Sequence, residues 1–136
     1  MTVRIVTDSA SDLTHDEATA LGIDVVPLSI RFGDDVFLDR VELGIDEFYR
    51  RMADSEDLPQ TAAPAPGAFQ EVFRRRFADG ADAIVCINLS SGVSATMESA
   101  ELAARETDGD VRVVDSRSVT AGLGMMVLAA AEAAAR

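Results

Sequence analysis

The chain has 136 residues, 48% hydrophobic and 26% charged, which suits one globular domain with its own core and excludes a disordered chain. Its formal net charge is −12 and all 12 basic residues are arginine, so it lacks the basic face that a nucleic-acid binder needs. No apolar run approaches the roughly 20 residues of a membrane span. The opening MTVRIVTDSASDL reaches acidic residues with no basic-then-apolar leader, so a cytoplasmic location is expected.

VRIVTDS (3–9) begins β-branched and ends in turn residues, which predicts a strand. Thr14-His15-Asp16-Glu17 is a Thr-x-x-Glu capping box that opens a short helix, stopped by Gly22. IDVVPLSIRF (23–32) predicts a second strand with Pro27 at an edge, an end or a bulge. GDDVFLDRVEL suits a hairpin or a loop. IDEFYRRMAD (45–54) spaces Ile45, Phe48, Tyr49 and Met52 at helical intervals. PQTAAPAPGAF (59–69) holds three of the four prolines, so no regular structure is expected before about Pro66, where a helix can start with proline near its first position. Arg74, Arg75 and Arg76 on that helix read as a solvated face. ADAIVCINL (81–89) is nearly continuously apolar and predicts a strand covered on both faces, with Cys86 as a small core hydrophobe. A helix over 94–106, a strand over 110–116 and a closing alanine-rich helix complete the chain. Strands alternating with helices imply a three-layer α/β domain, a mainly parallel sheet flanked by helices. The closing helix, apolar around much of its circumference, is expected to be covered on several sides, by a partner or another domain.

In parallel sheets, ligands bind beyond the carboxyl ends of the strands. Three predicted strands end in hydroxyls or carboxylates: Thr7-Asp8-Ser9, Ser90-Ser91-Gly92-Val93-Ser94 and Asp115-Ser116. If these strands are parallel, one edge of the sheet carries a hydroxyl-rich rim. Each serine alone suits a cap or a turn better than a ligand contact, and it is their shared position that points to function. Ser94 stands where the next helix should begin, and a helix start offers free N–H groups to a carboxylate or phosphate without a basic side chain. In a chain of charge −12 such binding works through short-range hydrogen bonds, because the overall field repels anions.

Most catalytic patterns fail. Gly92-Val93-Ser94-Ala95-Thr96 lacks the last glycine of a nucleophile elbow. The one histidine, His15, falls in a capping box rather than near a serine. A P-loop needs lysine, and Gly122-Leu123-Gly124 lacks the third glycine of a dinucleotide fingerprint. Asp8 and Asp12 suit turn hydrogen bonds better than magnesium, and no His/Cys metal set exists.

Five ordered motifs give the chain a family resemblance. VTDSASDL, DEFYRRM, QTAAPAPGAF, LSSGVSAT and VVDSRSVTAGLG, together with VVPLSIRF, resemble the DegV family along the whole length of the sequence. The resemblance implies binding of a long-chain fatty acid such as palmitate, stearate or oleate, with the acyl chain buried and the carboxylate held by hydroxyls. It also implies a role as the binding subunit of a bacterial fatty-acid kinase, presenting the carboxyl group to a separate ATP-using partner, with no catalysis and no cofactor of its own. The matching carboxylate-binding positions are Thr61 and Ser94, with Ser9, Ser91 and Ser116 as weaker candidates. Leu28, Phe69, Val93, Leu123, Met125 and Met126 are candidates for the acyl lining. The chain departs from the family pattern at Ala62, Ala63 and Ala95, the last in place of a glycine after the key serine. The family's second lobe, which closes over the ligand, has no counterpart in residues 1–136, so a homodimer through the exposed apolar surface is a further expectation. Two rival readings remain at this level: a hydrolase or acyltransferase using Ser94 as nucleophile, and a structural oligomerisation domain without ligand.

Overall fold

Two sheets of different character organise the chain, seen in a computed structural model that describes residues 1–136. The larger contains β1 (Val3–Asp8), β2 (Asp24–Val26), β6 (Ala83–Asn88) and β7 (Asp110–Asp115) in the order β2-β1-β6-β7. All three pairings are parallel. The smaller is antiparallel, in the order β4-β3-β5, from β3 (Ser29–Phe32), β4 (Asp35–Leu38) and β5 (Gln60–Ala62). Five helices join them: α1 (His15–Leu21), α2 (Ile45–Asp54), α3 (Pro66–Ala78), α4 (Thr96–Arg105) and α5 (Thr120–Ala134).

The large sheet is sandwiched as its strand sequences require. Alternation along β1 and β6 sends Val6, Ile84 and Cys86 to one face, where they meet Phe69 and Phe73 of α3 and Ala100 and Ala103 of α4. Ile5 and Ile87 point the other way, onto Ala18 of α1 and Leu123, Val127 and Ala131 of α5. Phe69 and Phe73 are completely buried, each stabilising the fold by roughly 1.5–3 kcal/mol. Helix α1 begins at its expected box: the Thr14 hydroxyl accepts from the Glu17 amide, and the Glu17 carboxylate accepts from the Thr14 amide. The Thr14 amide first, and then the Thr14 hydroxyl, which also lies 3.0 Å from the same carboxylate oxygen, hold the exposed Glu17 carboxyl below its ordinary range. Gly22 ends α1 at φ 64°, a left-handed angle that glycine adopts without strain.

Three segments depart from expectation. Residues 23–32 are not one strand. Pro27 cannot donate to a ladder, and the chain leaves the large sheet there, so β2 and β3 belong to different sheets. The 59–65 segment does contain a strand. Prolines 59, 64 and 66 flank Gln60–Ala62 without interrupting it, and β5 pairs with the edge of β3, Thr61 opposite Ile30. Nor is the arginine run only a solvated face. Arg75 and Arg76 both reach the buried carboxylate of Asp24, Arg76 with two nitrogens, and fasten the end of α3 to β2. Residues 29–62 thus form a separate unit with its own small core of Ile30, Phe32 and Leu43, backed by Phe37 and Phe48.

The Gly122-Leu123-Gly124 pair has a packing origin. A Cβ on Gly124 would lie 2.6 Å from the carbonyl oxygen of Ser11, in the turn that follows β1. Alanine there gains about 1 kcal/mol of helix propensity but forces two backbones apart, an overpacking cost of about 1–3 kcal/mol. Gly124→Ala is therefore expected to lower stability by up to about 2 kcal/mol, read from the urea midpoint. A higher midpoint would show that the contact is loose.

Candidate functional site

Because the large sheet is parallel, β1, β6 and β7 end on one edge and bring their polar residues together there. Asp8, the last residue of β1, is fully buried at the centre of this edge. One carboxylate oxygen accepts from the Ala10 amide at 3.0 Å; the other accepts from Asn88 Nδ2 and the Leu89 amide, each at 3.0 Å. Burial pushes its pKa up, and these three bonds only partly oppose the shift. All its near partners are donors of the chain itself, so Asp8 pins the β1 and β6 ends together. Thr7 adds a second pin, donating to the Ile87 carbonyl at 2.8 Å.

Three of the candidate serines are similarly committed. Ser9 is buried; its hydroxyl accepts from the Leu28 amide at 3.0 Å and works to lower the pKa of the Asp39 carboxyl, which burial raises. Ser91 donates to Asp115 through both its amide, at 3.2 Å, and its hydroxyl, at 2.5 Å. The Ser91 hydroxyl is the main reason that the Asp115 carboxyl stays below its ordinary range, followed by the Arg117 amide. Ser116 closes a tight turn, donating to the Ser118 carbonyl and accepting from the Ser118 amide. The Ser90 amide donates to the Ser118 carbonyl at 2.9 Å, which fixes the β6–α4 loop beside the β7–α5 loop.

Ser94 differs. It lies two residues before α4, half-buried, and its Oγ accepts from the Thr96 amide at 3.1 Å and sits 2.8 Å from the hydroxyl of the fully buried Thr96. The helix-start amides of Ser94, Ala95, Met97 and Glu98 have no acceptor within the chain. Ala95 has φ −84°, so the missing glycine leaves no strain in this turn. Thr61 is exposed on β5, in the separate 29–62 unit; Gln60 beside it is held by Arg31, whereas the Thr61 hydroxyl is without a partner.

Two open clefts flank the edge. One, of about 530 Å³, is lined by Ser91, Ser94, Ala95, Met97, Glu98 and Glu101. The other, of about 580 Å³, runs between α1, the free edge of β2 and residues 39–45, and has Ser9 and His15 in its wall. Ser91 and Ser94 therefore share a cleft, Ser9 lies in the second, and Thr61 and Ser116 line neither. His15 and Ser94 line different clefts, so no imidazole stands beside that serine.

The expected acyl lining divides. Phe69 and Leu123 are completely buried and belong to the two faces of the core, so they are corrected to packing residues, and Leu28 is buried as well. Val93, Met125 and Met126 are exposed, at 70%, 71% and 46%. Helix α5 is thus covered on one face only; Val119, at its start, is also exposed. The reading of the residues missed Asn88, Thr96 and Asp39, which complete these networks. Asn88 carried a signal: an amide ending an otherwise apolar strand needs a buried partner, and Asp8 is it.

Comparison with known proteins places this geometry. Residues 2–136 match the model of the family described as "Uncharacterised protein, DegV family". A DegV domain-containing protein of Deinococcus radiodurans is 39% identical over 132 residues, 97% of this chain and 47% of the relative. Among solved structures, a DegV family protein from Thermus thermophilus, described for fatty acid binding, superposes with a TM-score of 0.89 at 38% identity, over 97% of this chain and 47% of that one. A fatty acid (stearic acid)-binding protein from Eubacterium ventriosum superposes with a TM-score of 0.89 at 29% identity, over 96% of this chain and 46% of that one. The chain spans about half the length of the relatives that it matches, and over that span its sequence and its two-sheet architecture make it a member of the DegV family.

Proposed function

We propose that the chain binds a long-chain fatty acid, with its carboxylate held by Thr61 and Ser94, and presents it to an ATP-dependent fatty-acid kinase subunit. The observation that carries this reading is the α4 start: the half-buried Ser94 hydroxyl beside four helix-start amides without acceptors. Ser94 Oγ accepts from the Thr96 amide; when the Thr96 hydroxyl donates to it as well, the Ser94 proton is free for a ligand carboxylate. Such bonds suit this chain, because Glu98 and Glu101 border the same cleft and leave no long-range attraction for an anion. Ser9, Ser91 and Ser116 act indirectly, by shaping the edge, since their hydroxyls are occupied. The acyl tail supplies affinity at about 0.8 kcal/mol per buried methylene. Val93, Val119, Met125 and Met126 offer exposed apolar surface to it, to a second lobe or to a second copy of the chain.

This role needs no chemistry from the chain. A fluorophosphonate probe is expected to leave Ser94 unlabelled, because no base adjoins it; labelling at Ser94 would establish the hydrolase reading instead. The kinase step is tested by combining the protein, stearate, ATP and a fatty-acid kinase subunit and trapping acyl-phosphate as a hydroxamate. Product that depends on this chain is the expected result, and product formation indifferent to the chain overturns the presenting role.

A further inference from the structure

Residues 29–62 leave the large sheet at Pro27-Leu28 and return to it at residues 63–65, so two short segments are their only covalent ties to the rest of the fold. Their core is separate, and the 580 Å³ cleft lies between residues 39–45 and the α1–β2 layer. One ion pair crosses from this unit to the large-sheet body: Arg40 Nη2 to Asp12 Oδ1, at 2.7 Å. All other ion pairs lie within one body or the other. Both partners hold left-handed backbone angles, Arg40 at φ 63° and Asp12 at φ 56°. Non-glycine residues keep such angles where the surroundings impose them. Beside the pair, the Asp39 amide donates to the Leu28 carbonyl at 2.9 Å and the Leu28 amide donates to the Ser9 hydroxyl at 3.0 Å, so hydrogen bonds and the ion pair adjoin one another where the unit meets the body.

We propose that the Arg40–Asp12 pair is a latch that sets how the Thr61-bearing unit sits against the Ser94-bearing layer, which makes both residues positioning residues for the ligand. Its consequence for binding rests on the reading of Thr61 and Ser94 as the carboxylate seat. Its consequence for the fold does not. The side chains are 26% and 44% exposed, so the latch is modest: its loss is expected to weaken fatty-acid binding about fivefold.

Hydrogen exchange of the purified protein separates the two consequences. In Arg40→Gln, amides of β3 and β5 are expected to exchange faster while those of β1 and β6 keep their rates. The reversed pair, Asp12→Arg with Arg40→Asp, is expected to restore both exchange and stearate affinity. Unchanged exchange in β3 and β5 overturns the latch, and so does an equal acceleration in β1 and β6, which would mean general destabilisation. If the wild-type protein binds no stearate, the carboxylate seat fails, yet the exchange rates still decide the latch.

Discussion

Asp8→Ala is expected to lower the unfolding free energy by about 3–4 kcal/mol. The reason is the asymmetry between making and abandoning a buried hydrogen bond. The wild-type carboxylate is fully buried and satisfies three donors: the Ala10 amide, Asn88 Nδ2 and the Leu89 amide. Alanine removes the acceptor and strands all three in a site closed to water, at about 1–3 kcal/mol for each group that finds no substitute. Partial relaxation around Ala10, at the margin of the edge, brings the sum down to the stated figure. Asp8→Asn is expected to cost less, since its one oxygen can still accept from Asn88 Nδ2 and the Leu89 amide while its NH2 group is left facing the Ala10 amide. Urea titration of the variants beside wild type provides the measurement. A loss below about 1 kcal/mol would mean that water enters the edge and replaces the carboxylate.

The same residue has a pH signature. Burial holds the folded-state pKa of Asp8 above its ordinary value, despite its three bonds. The folded chain therefore binds this proton more tightly than the unfolded chain does. The stabilisation that comes from the proton is fully present below the ordinary aspartate range and is lost as pH rises through the raised folded value. Asp39, raised mainly by burial, contributes with the same sign. Wild type minus Asp8→Ala stability, followed through that window, should decline with increasing pH. Glu17 and Asp115, held low by their hydrogen bonds, work in the opposite sense and remain in both proteins.

Thr61→Ala combined with Ser94→Ala is expected to weaken fatty-acid binding by about 2–4 kcal/mol, roughly thirty- to eight-hundred-fold. The estimate assumes one hydrogen bond to a carboxylate from each hydroxyl. Neither change should disturb the fold much. Thr61 is exposed and its hydroxyl has no partner in the chain, while Ser94 is only half-buried. Ser94→Ala alone should have the larger effect of the two, because Ser94 also accepts from the Thr96 amide and shares a 2.8 Å bond with the Thr96 hydroxyl beside the free helix-start amides. Isothermal titration with stearate measures the effect. Affinity unchanged in the double variant would move the carboxylate away from these hydroxyls.

Much of the architecture was readable because its signals were local. The capping box at Thr14–Glu17, the proline that opens α3 and the continuous apolar run of β6 each dictate their element from within a few residues. The hydroxyl rim followed from one further inference, that the strands run parallel. The second sheet was harder. The β2–β3 run looks like one strand because Val25, Val26, Leu28 and Ile30 are all apolar, and only the missing N–H of Pro27 hints that two sheets share it. In β5 the surrounding prolines masked three residues whose pairing partner, β3, lies some thirty positions earlier. Site residues divided for a related reason. Ser9, Ser91 and Ser116 have the composition of a binding rim, but whether a serine is free or spent depends on Leu28, Asp115 and Ser118, which only the fold brings beside them. Phe69 and Leu123 misled in the same way, since an apolar residue near a site motif is identical in sequence whether it faces ligand or core.

The central claim is that this chain holds a fatty acid. Native mass spectrometry of the purified protein mixed with stearate, followed by denaturing extraction and identification of what was bound, tests it most directly. The account predicts one fatty acid per chain, displaced from the Thr61→Ala/Ser94→Ala variant at the same lipid concentration. A spectrum of lipid-free protein, at stearate concentrations that saturate a fatty-acid-binding control, would contradict it.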